Sequence, residues 1–532
     1  MTLKIFILNC FFHLYLCFFI YSQNVENIDM ISLQRPSEIA QKNDKEDNNE
    51  IFKIGDMIYT DITTSNSGTY DNNCWLLKIS AKDAVALSIH FDYFNLQNDS
   101  EFMVFNKNGE LFDIFKKENN LSGGGFSIGN INGDEITIKY TIPKNRNFSA
   151  DDFKISGIAY IYKEIEDSYM KQKVCFASAE NCSVNINCSE GNNYQKQKRG
   201  VARIYCVNGD FVGYCSGTLI NNTAQDGTPY FLTAAHCASN TDENDFAKWR
   251  FDFNYESDIC DNPSSEPAKK TFVGCEALAK SAIDGGSDFL LLKLKNISQN
   301  DIKNHNLVLN GWSISAANPV FGACIQHPQG DIKKISFFNS NVMSATIQTN
   351  NAVGMENAHI KLQWIETQNG YGVTDKGSSG SPLFNEEGIV VATLSGGAST
   401  CLNLSGYDYF GKFSYHWDKT GSDSTTQLKY YLDPLKSNAQ SCNTLDYEDN
   451  PSQEDSNLVE IFPNPNKGTF VIKFNNNLQH NVYIYNAQGN LINSYKNLAN
   501  SEVIRINKCI PGIYIAIIIN QNSIKQQKIL FL

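Results

Sequence analysis

The segment Lys376-Gly377-Ser378-Ser379-Gly380-Ser381-Pro382-Leu383-Phe384 lies between two strand-like runs, Ile360-Lys361-Leu362-Gln363-Trp364 before it and Ile389-Val390-Val391-Ala392-Thr393-Leu394 after it. Glycines on both sides of a serine let the backbone turn tightly, so the N–H groups of Gly377 and Ser379 can converge on a developing oxyanion while the Ser379 hydroxyl faces a cleft. A Gly/Ser run taken alone also reads as a flexible loop. The two bracketing strands favour a structured turn.

Two further segments carry chemistry upstream. In Tyr230-Phe231-Leu232-Thr233-Ala234-Ala235-His236-Cys237 an apolar strand runs into a small-residue turn that presents His236. Imidazole can take and return a proton near neutral pH, although a His capping a buried strand reads equally well from this segment alone. In Gly285-Gly286-Ser287-Asp288-Phe289-Leu290-Leu291-Leu292-Lys293-Leu294 one carboxylate opens an apolar strand. Asp288 there can hold the second ring nitrogen of a His, with Asp284 as a nearby rival. Cys237 and His236 are adjacent on an extended chain and point opposite ways, so they cannot form a dyad.

At 532 residues the chain exceeds one hydrophobic core, and domain sizes suggest about three folding units. Hydrophobic content of 42% and aromatics at 12% describe globular material. A net charge of -13 argues against a nucleic-acid binder, which would carry Lys and Arg in excess. No His-Glu-x-x-His or paired Cys-x-x-Cys set occurs, so no metal or other cofactor is expected. Fifteen Cys suit an exported chain that forms disulfides.

The three segments, in the order His, Asp, Ser, resemble the chymotrypsin superfamily, and within it the bacterial lysyl endopeptidases. Ser216-Gly217-Thr218-Leu219-Ile220-Asn221-Asn222-Thr223, Ile325-Gln326-His327-Pro328, Gly372-Val373-Thr374 and Tyr431-Leu432-Asp433-Pro434 carry that closer likeness. The resemblance implies an all-β, chymotrypsin-like double β-barrel protease over 174–442. It implies a triad of His236, Asp288 and Ser379, with an oxyanion hole at Gly377 and Ser379. It also implies a substrate pocket with Asp408 at its base, in Asp408-Tyr409-Phe410-Gly411, and substrate-pairing main chain at Ser395, Gly396 and Gly397. Ser395 departs from the family pattern, which has His beside the active site. The same alignment implies disulfides Cys215 to Cys237, Cys188 to Cys260 and Cys182 to Cys401. Cys275 with Cys324 is a guess, and Cys74, Cys175, Cys206, Cys442 and Cys509 have no assigned partner.

The flanks are read in the same way. Residues 1–22 form a signal peptide and 23–50 a polar tether. Alternating runs in 51–165, such as Ala86-Leu87-Ser88-Ile89-His90-Phe91, fit a β-sandwich, which resembles the lysyl endopeptidase propeptide. Lys171 or Lys173 is the expected maturation cut, in preference to Lys198-Arg199-Gly200-Val201. After an acidic linker, 443–457, the segment 458–532 resembles the type A sorting domain of type IX secretion, through Phe462-Pro463-Asn464-Pro465-Asn466-Lys467-Gly468 and Pro511-Gly512-Ile513-Tyr514. The implied protein is a monomeric serine endopeptidase acting on proteins or peptides after basic residues, Lys first. It would be exported across the outer membrane of a Gram-negative bacterium by the type IX machinery. The competing reading is a surface adhesion or binding protein with an inactive protease-like barrel.

Overall fold

A computed structural model describes residues 28–36, 51–121, 124–162, 178–339 and 342–447. In the C-terminal part it describes 459–462, 466–474, 479–486, 490–499, 501–506, 510–519 and 524–531. The signal peptide, the Lys171 and Lys173 cut sites, Cys175 and Cys509 lie outside the described residues. The chain divides into two compact units, one up to Leu445 and one from Asp446.

The described structure is dominated by strands, as the short alternating runs require. The N-terminal part is a sandwich. One sheet holds Cys74–Ala81, Glu135–Thr141, Glu101–Asn106 and Leu111–Phe115; the other holds Phe52–Ile62, Phe153–Ile161, Ala86–Phe94 and Phe126–Asn132. Between them Trp75, Phe91, Phe94, Phe102, Tyr140 and Phe153 are buried as an aromatic core. The tether expectation for 23–50 needs correcting at Met30–Leu33, which pairs in parallel with Cys74–Ala81. Its residues Ile31 and Leu33 pack against the sandwich core, which offsets the cost of ordering the strand.

The first lobe of the double-barrel region is built on Phe211–Ile220. One edge of this strand pairs with Val201–Asn208. Its other edge is shared: Phe211–Tyr214 pairs with Phe52–Asp56 of the N-terminal sandwich, and Thr218–Ile220 pairs with Tyr230–Leu232. The sandwich and the first lobe therefore share one continuous sheet. The expected closed barrel is an open sheet here, ending in Lys270–Val273 on one path and Cys275–Ser281 on another. Gly274, at φ +88°, turns the chain between those two strands.

The second lobe is a sheet running through Lys334–Phe338, Gly322–Gln326, Pro382–Phe384, Val390–Gly397, Asp408–Lys412 and His359–Leu362. The body also extends past the expected boundary at 442. Ser441–Cys442 pairs with Trp312–Ser313, and Leu445 is buried. The C-terminal unit holds two small sheets around Phe470, Ile472, Val482, Ile484, Ile518 and Phe531. No helix among the described residues is long and apolar enough to cross a membrane.

Gly200 and Val201 are buried, and Lys198 is ion-paired to Glu256 at 2.6 Å. The bond after Arg199 is thus packed into the body, which disfavours it as a maturation cut.

Candidate active site

The apolar strand Tyr230–Thr233 pairs with Phe289–Leu294, which brings the turn after one strand beside the turn before the other. Nδ1 of His236 lies 2.8 Å from Oδ2 of Asp288, and the main-chain N–H of His236 donates to Oδ1 at 3.1 Å. Both carboxylate oxygens are thus taken up by one residue. Asp288 is fully buried and holds a left-handed φ of 60°. That backbone state is strained for a non-glycine residue and persists where the surroundings fix it. The hydroxyl of Ser287 helps, meeting Nδ1 of His416 at 2.8 Å, while Nε2 of His416 meets Thr393 at 3.0 Å. The rival Asp284 is exposed in the preceding turn.

Burial alone would lower the pKa of His236, but the Asp288 charge and hydrogen bond outweigh it and the net direction is up. Burial would raise Asp288, yet the His236 charge and hydrogen bond, with the Ser395 hydroxyl, carry it below the usual carboxylate range.

Ser379 is held at the shared edge of the first lobe. The Ser216 N–H donates to the Ser379 carbonyl at 2.9 Å, between the stretch of that strand taken by the N-terminal sandwich and the stretch taken by Tyr230–Leu232. Cys215, next to Ser216, is disulfide-bonded to Cys237, next to His236. Gly380 packs so closely on Thr233 and Ala234 that a Cβ there would lie 2.1 Å from the Thr233 hydroxyl. Among the described residues neither Gly377 N–H nor Ser379 N–H donates to another group, so both remain available for an oxyanion.

Asp408 is fully buried where the strand Asp408–Lys412 meets Gly397. Its Oδ2 accepts from Trp364 Nε1 at 2.6 Å, Thr374 Oγ1 at 2.6 Å and Ser399 Oγ at 2.5 Å, and Oδ1 accepts from Ser399 N–H at 3.1 Å. Burial raises its pKa, and these donors recover only part of the shift. Thr374 lies on the segment leading to Ser379, so one loop contributes to both places. A Cβ on Gly397 would lie 1.9 Å from Asp408 Oδ1, so only glycine leaves room there. Gly396 and Gly397 pair with Tyr409 and Asp408 on one side. The opposite neighbour, Pro382–Phe384, stops at Thr393, so the other edge of Ser395–Gly397 is open for a strand.

Cys182–Cys401, Cys188–Cys260 and Cys215–Cys237 are bonded. Cys275 and Cys324 are both free and buried. Cys275 is on a first-lobe strand with its thiol toward the Phe246 carbonyl, whereas Cys324 is in a second-lobe strand, so the guessed pair does not form. Cys74, Cys206 and Cys442 are also free and buried. Ser216, Ser287 and Trp364 lie in segments the sequence reading quoted, but their supporting roles were not read there, and Ser399 and His416 carry no motif that sequence reading could have singled out.

The body is all-β and two-lobed, with an Asp-oriented His beside the strand edge that anchors a glycine-flanked Ser, an arrangement similar to that of chymotrypsin-like proteases. Residues 176–411 match the family described as lysyl endopeptidase, C-terminal domain, and residues 460–531 match the secretion system C-terminal sorting domain. A lysyl endopeptidase of Pseudomonas aeruginosa is 26% identical over 299 residues, which cover 53% of this chain and 60% of that relative. The chain thus matches about three fifths of the relative's length. Among solved structures, the thermostable serine protease AL20 from an extremophilic microorganism is similar at 13% identity and a TM-score of 0.30, over 41% of this chain and 92% of that one. The protease Anisep from Arthrobacter nicotinovorans is similar at 18% identity and a TM-score of 0.28, over 40% and 90% of the two chains.

Proposed function

We propose that this chain is an exported serine endopeptidase that cuts after basic residues, Lys foremost. The observation that carries the reading is the His236–Asp288 pair at 2.8 Å on the lobe edge that also holds Ser379. Ser379 Oγ attacks the scissile carbonyl as Nε2 of His236 takes its proton. The oxygen that becomes negative receives the N–H groups of Gly377 and Ser379. Collapse breaks the C–N bond, and His236 returns the proton to the departing amine. Water then repeats the sequence on the acyl-enzyme, releasing the acid and restoring Ser379. Asp288 holds the Nδ1–H tautomer and stabilises the imidazolium without itself taking the proton.

Asp408 supports a basic side chain in the pocket and favours Lys over Arg. Oδ2 already accepts three donors, while Oδ1 accepts one. A guanidinium pairs best with both oxygens at once, whereas an ammonium is satisfied by one. The sorting domain at 460–531 supports export by type IX secretion. The inactive adhesion reading has no observation in its favour, since His236, Asp288 and Ser379 are all present.

The test is to digest a protein of known sequence with the purified mature form and map the cuts, with Ser379→Ala beside it. Cuts after Lys in the wild type, and a loss of about 10⁵-fold or more in the variant, are expected. Undiminished hydrolysis by Ser379→Ala would overturn the nucleophile assignment.

A further inference from the structure

The peptide that presents Gly377 N–H is fastened from behind by a turn, His327 to Gly330, that belongs to neither triad nor pocket. The main-chain N–H of Gln329 donates to the Lys376 carbonyl at 2.6 Å. The next carbonyl, of Gly377, accepts from Ser216 Oγ at 2.9 Å, and that hydroxyl accepts from His327 N–H at 3.0 Å. Both carbonyls flanking the Gly377 nitrogen are therefore taken. In a trans peptide the N–H and C=O point to opposite sides. With the Lys376 carbonyl turned back onto Gln329, the Gly377 N–H must face away from the turn.

The turn itself is held in a demanding shape. Gln329 has φ 52° and ψ 25°, the left-handed region, and its side-chain amide donates to Asp375 Oδ2. Gly330 follows at φ +71°, with its carbonyl accepting from Arg203 Nη1 at 2.6 Å. Arg203 is 3% exposed, with Nε and Nη2 on Asp252 Oδ2 at 3.1 and 2.7 Å. Its guanidinium carbon lies 4.7 Å from the ring centre of Tyr214 and 4.0 Å from that of Tyr255. A buried ion pair is weak as a source of stability, but this one holds the guanidinium against the Gly330 carbonyl. Here it reaches from a first-lobe strand to the turn behind the Ser379 loop.

We propose that Gln329 and Arg203 are positioning residues for the oxyanion: they fix the Lys376–Gly377 peptide so that Gly377 N–H donates into the cleft. The proposal rests on Ser379 being the nucleophile. Neither residue belongs to the triad or to the Asp408 pocket. Their action runs through one main-chain donor, which matters only once negative charge develops on the substrate oxygen.

The experiment compares Gln329→Val, Gln329→Gly and Arg203→Met with wild type, each normalised by active-site titration of mature enzyme. Three readouts are taken: kcat and KM on one Lys peptide amide, inhibition by a peptide aldehyde, and inhibition by butylamine. The aldehyde places a hemiacetal oxygen where the oxyanion forms, while butylamine probes the pocket alone. A β-branched residue cannot hold the left-handed turn, so Gln329→Val should lower kcat and aldehyde affinity together by about 100-fold, leaving KM and butylamine affinity within about twofold. Gln329→Gly keeps both the N–H and the backbone shape and should recover all but about threefold of that loss. Arg203→Met should follow the Val variant in direction, and it decides the matter if Gln329→Val gives no titratable sites. Unchanged kcat and aldehyde affinity per titrated site, or a loss expressed in KM and butylamine binding, would overturn the proposal alone. Wild-type enzyme blind to the aldehyde would sink the Ser379 reading, and this proposal with it.

Discussion

Asp288 meets His236 twice, through the ring nitrogen at 2.8 Å and through the main-chain N–H at 3.1 Å. The first contact sets the charge of the imidazole and the second fixes where the residue sits. Asp288 raises the pKa of His236, and attack requires the neutral ring. kcat/KM should therefore rise with pH through a value above the ordinary His range of about 6.5. In Asp288→Asn the raising charge is gone, so that limb should move to lower pH while kcat falls by about 10⁴-fold through loss of tautomer control. A wild-type acid limb below that of Asp288→Asn would contradict the assignment.

The same pair sets a stability window. His236, with its folded pKa raised, contributes stability that is complete below its unfolded pKa and fades as pH rises through the folded one. Asp288, with its folded pKa lowered, contributes above its unfolded pKa and loses that as pH falls through the folded one. The pair should stabilise most between the unfolded carboxylate and unfolded imidazole values, about pH 4 to 6.5. Urea unfolding of wild type and Asp288→Asn across pH should show the largest gap inside that interval.

Asp408→Ala should lose specificity for Lys peptides by about thirty-fold to several-thousand-fold, the cost of removing one partner of a desolvated ion pair. A Leu peptide should lose far less, because His236, Asp288, Ser379 and the oxyanion donors are untouched. Wild type should cleave Lys over Arg, since only Oδ1 of Asp408 is open to a further donor. An equal fall for Lys, Arg and Leu peptides would make Asp408 a structural residue.

Replacing both Cys215 and Cys237 by Ala should cost about 3 kcal/mol, given the 22-residue separation the bond closes. The loop it closes carries His236, and the bond lies beside the Ser216 contact to Ser379. Denaturant midpoints for the double variant in the Ser379→Ala background would measure the loss without self-digestion. An unchanged midpoint would show that the surrounding sheet already holds the loop.

What could be read in the sequence was local. The segments around His236, Asp288 and Ser379 are each short junctions of an apolar run with small or glycine residues, ambiguous singly and legible through their joint occurrence in the order His, Asp, Ser. Asp408 came from the family resemblance, and its donors Trp364, Thr374 and Ser399 were invisible because three separate loops supply them. The Ser216 node was hidden for a similar reason: its role depends on which edge of Phe211–Ile220 is left unpaired. The joining of the N-terminal sandwich to that edge was not legible either, since composition places a strand without naming its neighbour. Cys275 and Cys324 show the opposite error, a guessed pairing that falls between strands of different lobes.

The junction between the N-terminal sandwich and the first lobe buries His90, which leads to the last prediction. Its Nε2 meets Tyr205 at 3.1 Å and Ser88 at 3.2 Å, and Arg250, across the junction, donates to Ser88 at 3.1 Å and stacks on the Tyr205 ring. Burial first, then the charges of Arg250 and Lys248, push the pKa of His90 well below its ordinary value. Burial would raise the pKa of Asp92, on the same strand, but the Ser156 hydrogen bond and then the Lys248 charge hold it low, so its charge is already matched. A sandwich that leaves the lobe frees His90 to titrate near 6.5, so the separated state takes up a proton that the docked state refuses. For protein cut between the two parts, association should be strong at pH 8. It should weaken as pH falls below about 6.5, by up to about tenfold per pH unit from this one group. Gel filtration of the cut Ser379→Ala protein at pH 8, 6 and 5 would follow the separation. His90→Gln should flatten the dependence, because Gln can still bond to Tyr205 but takes no proton. A pH response unchanged by His90→Gln would place the titrating group elsewhere in the junction.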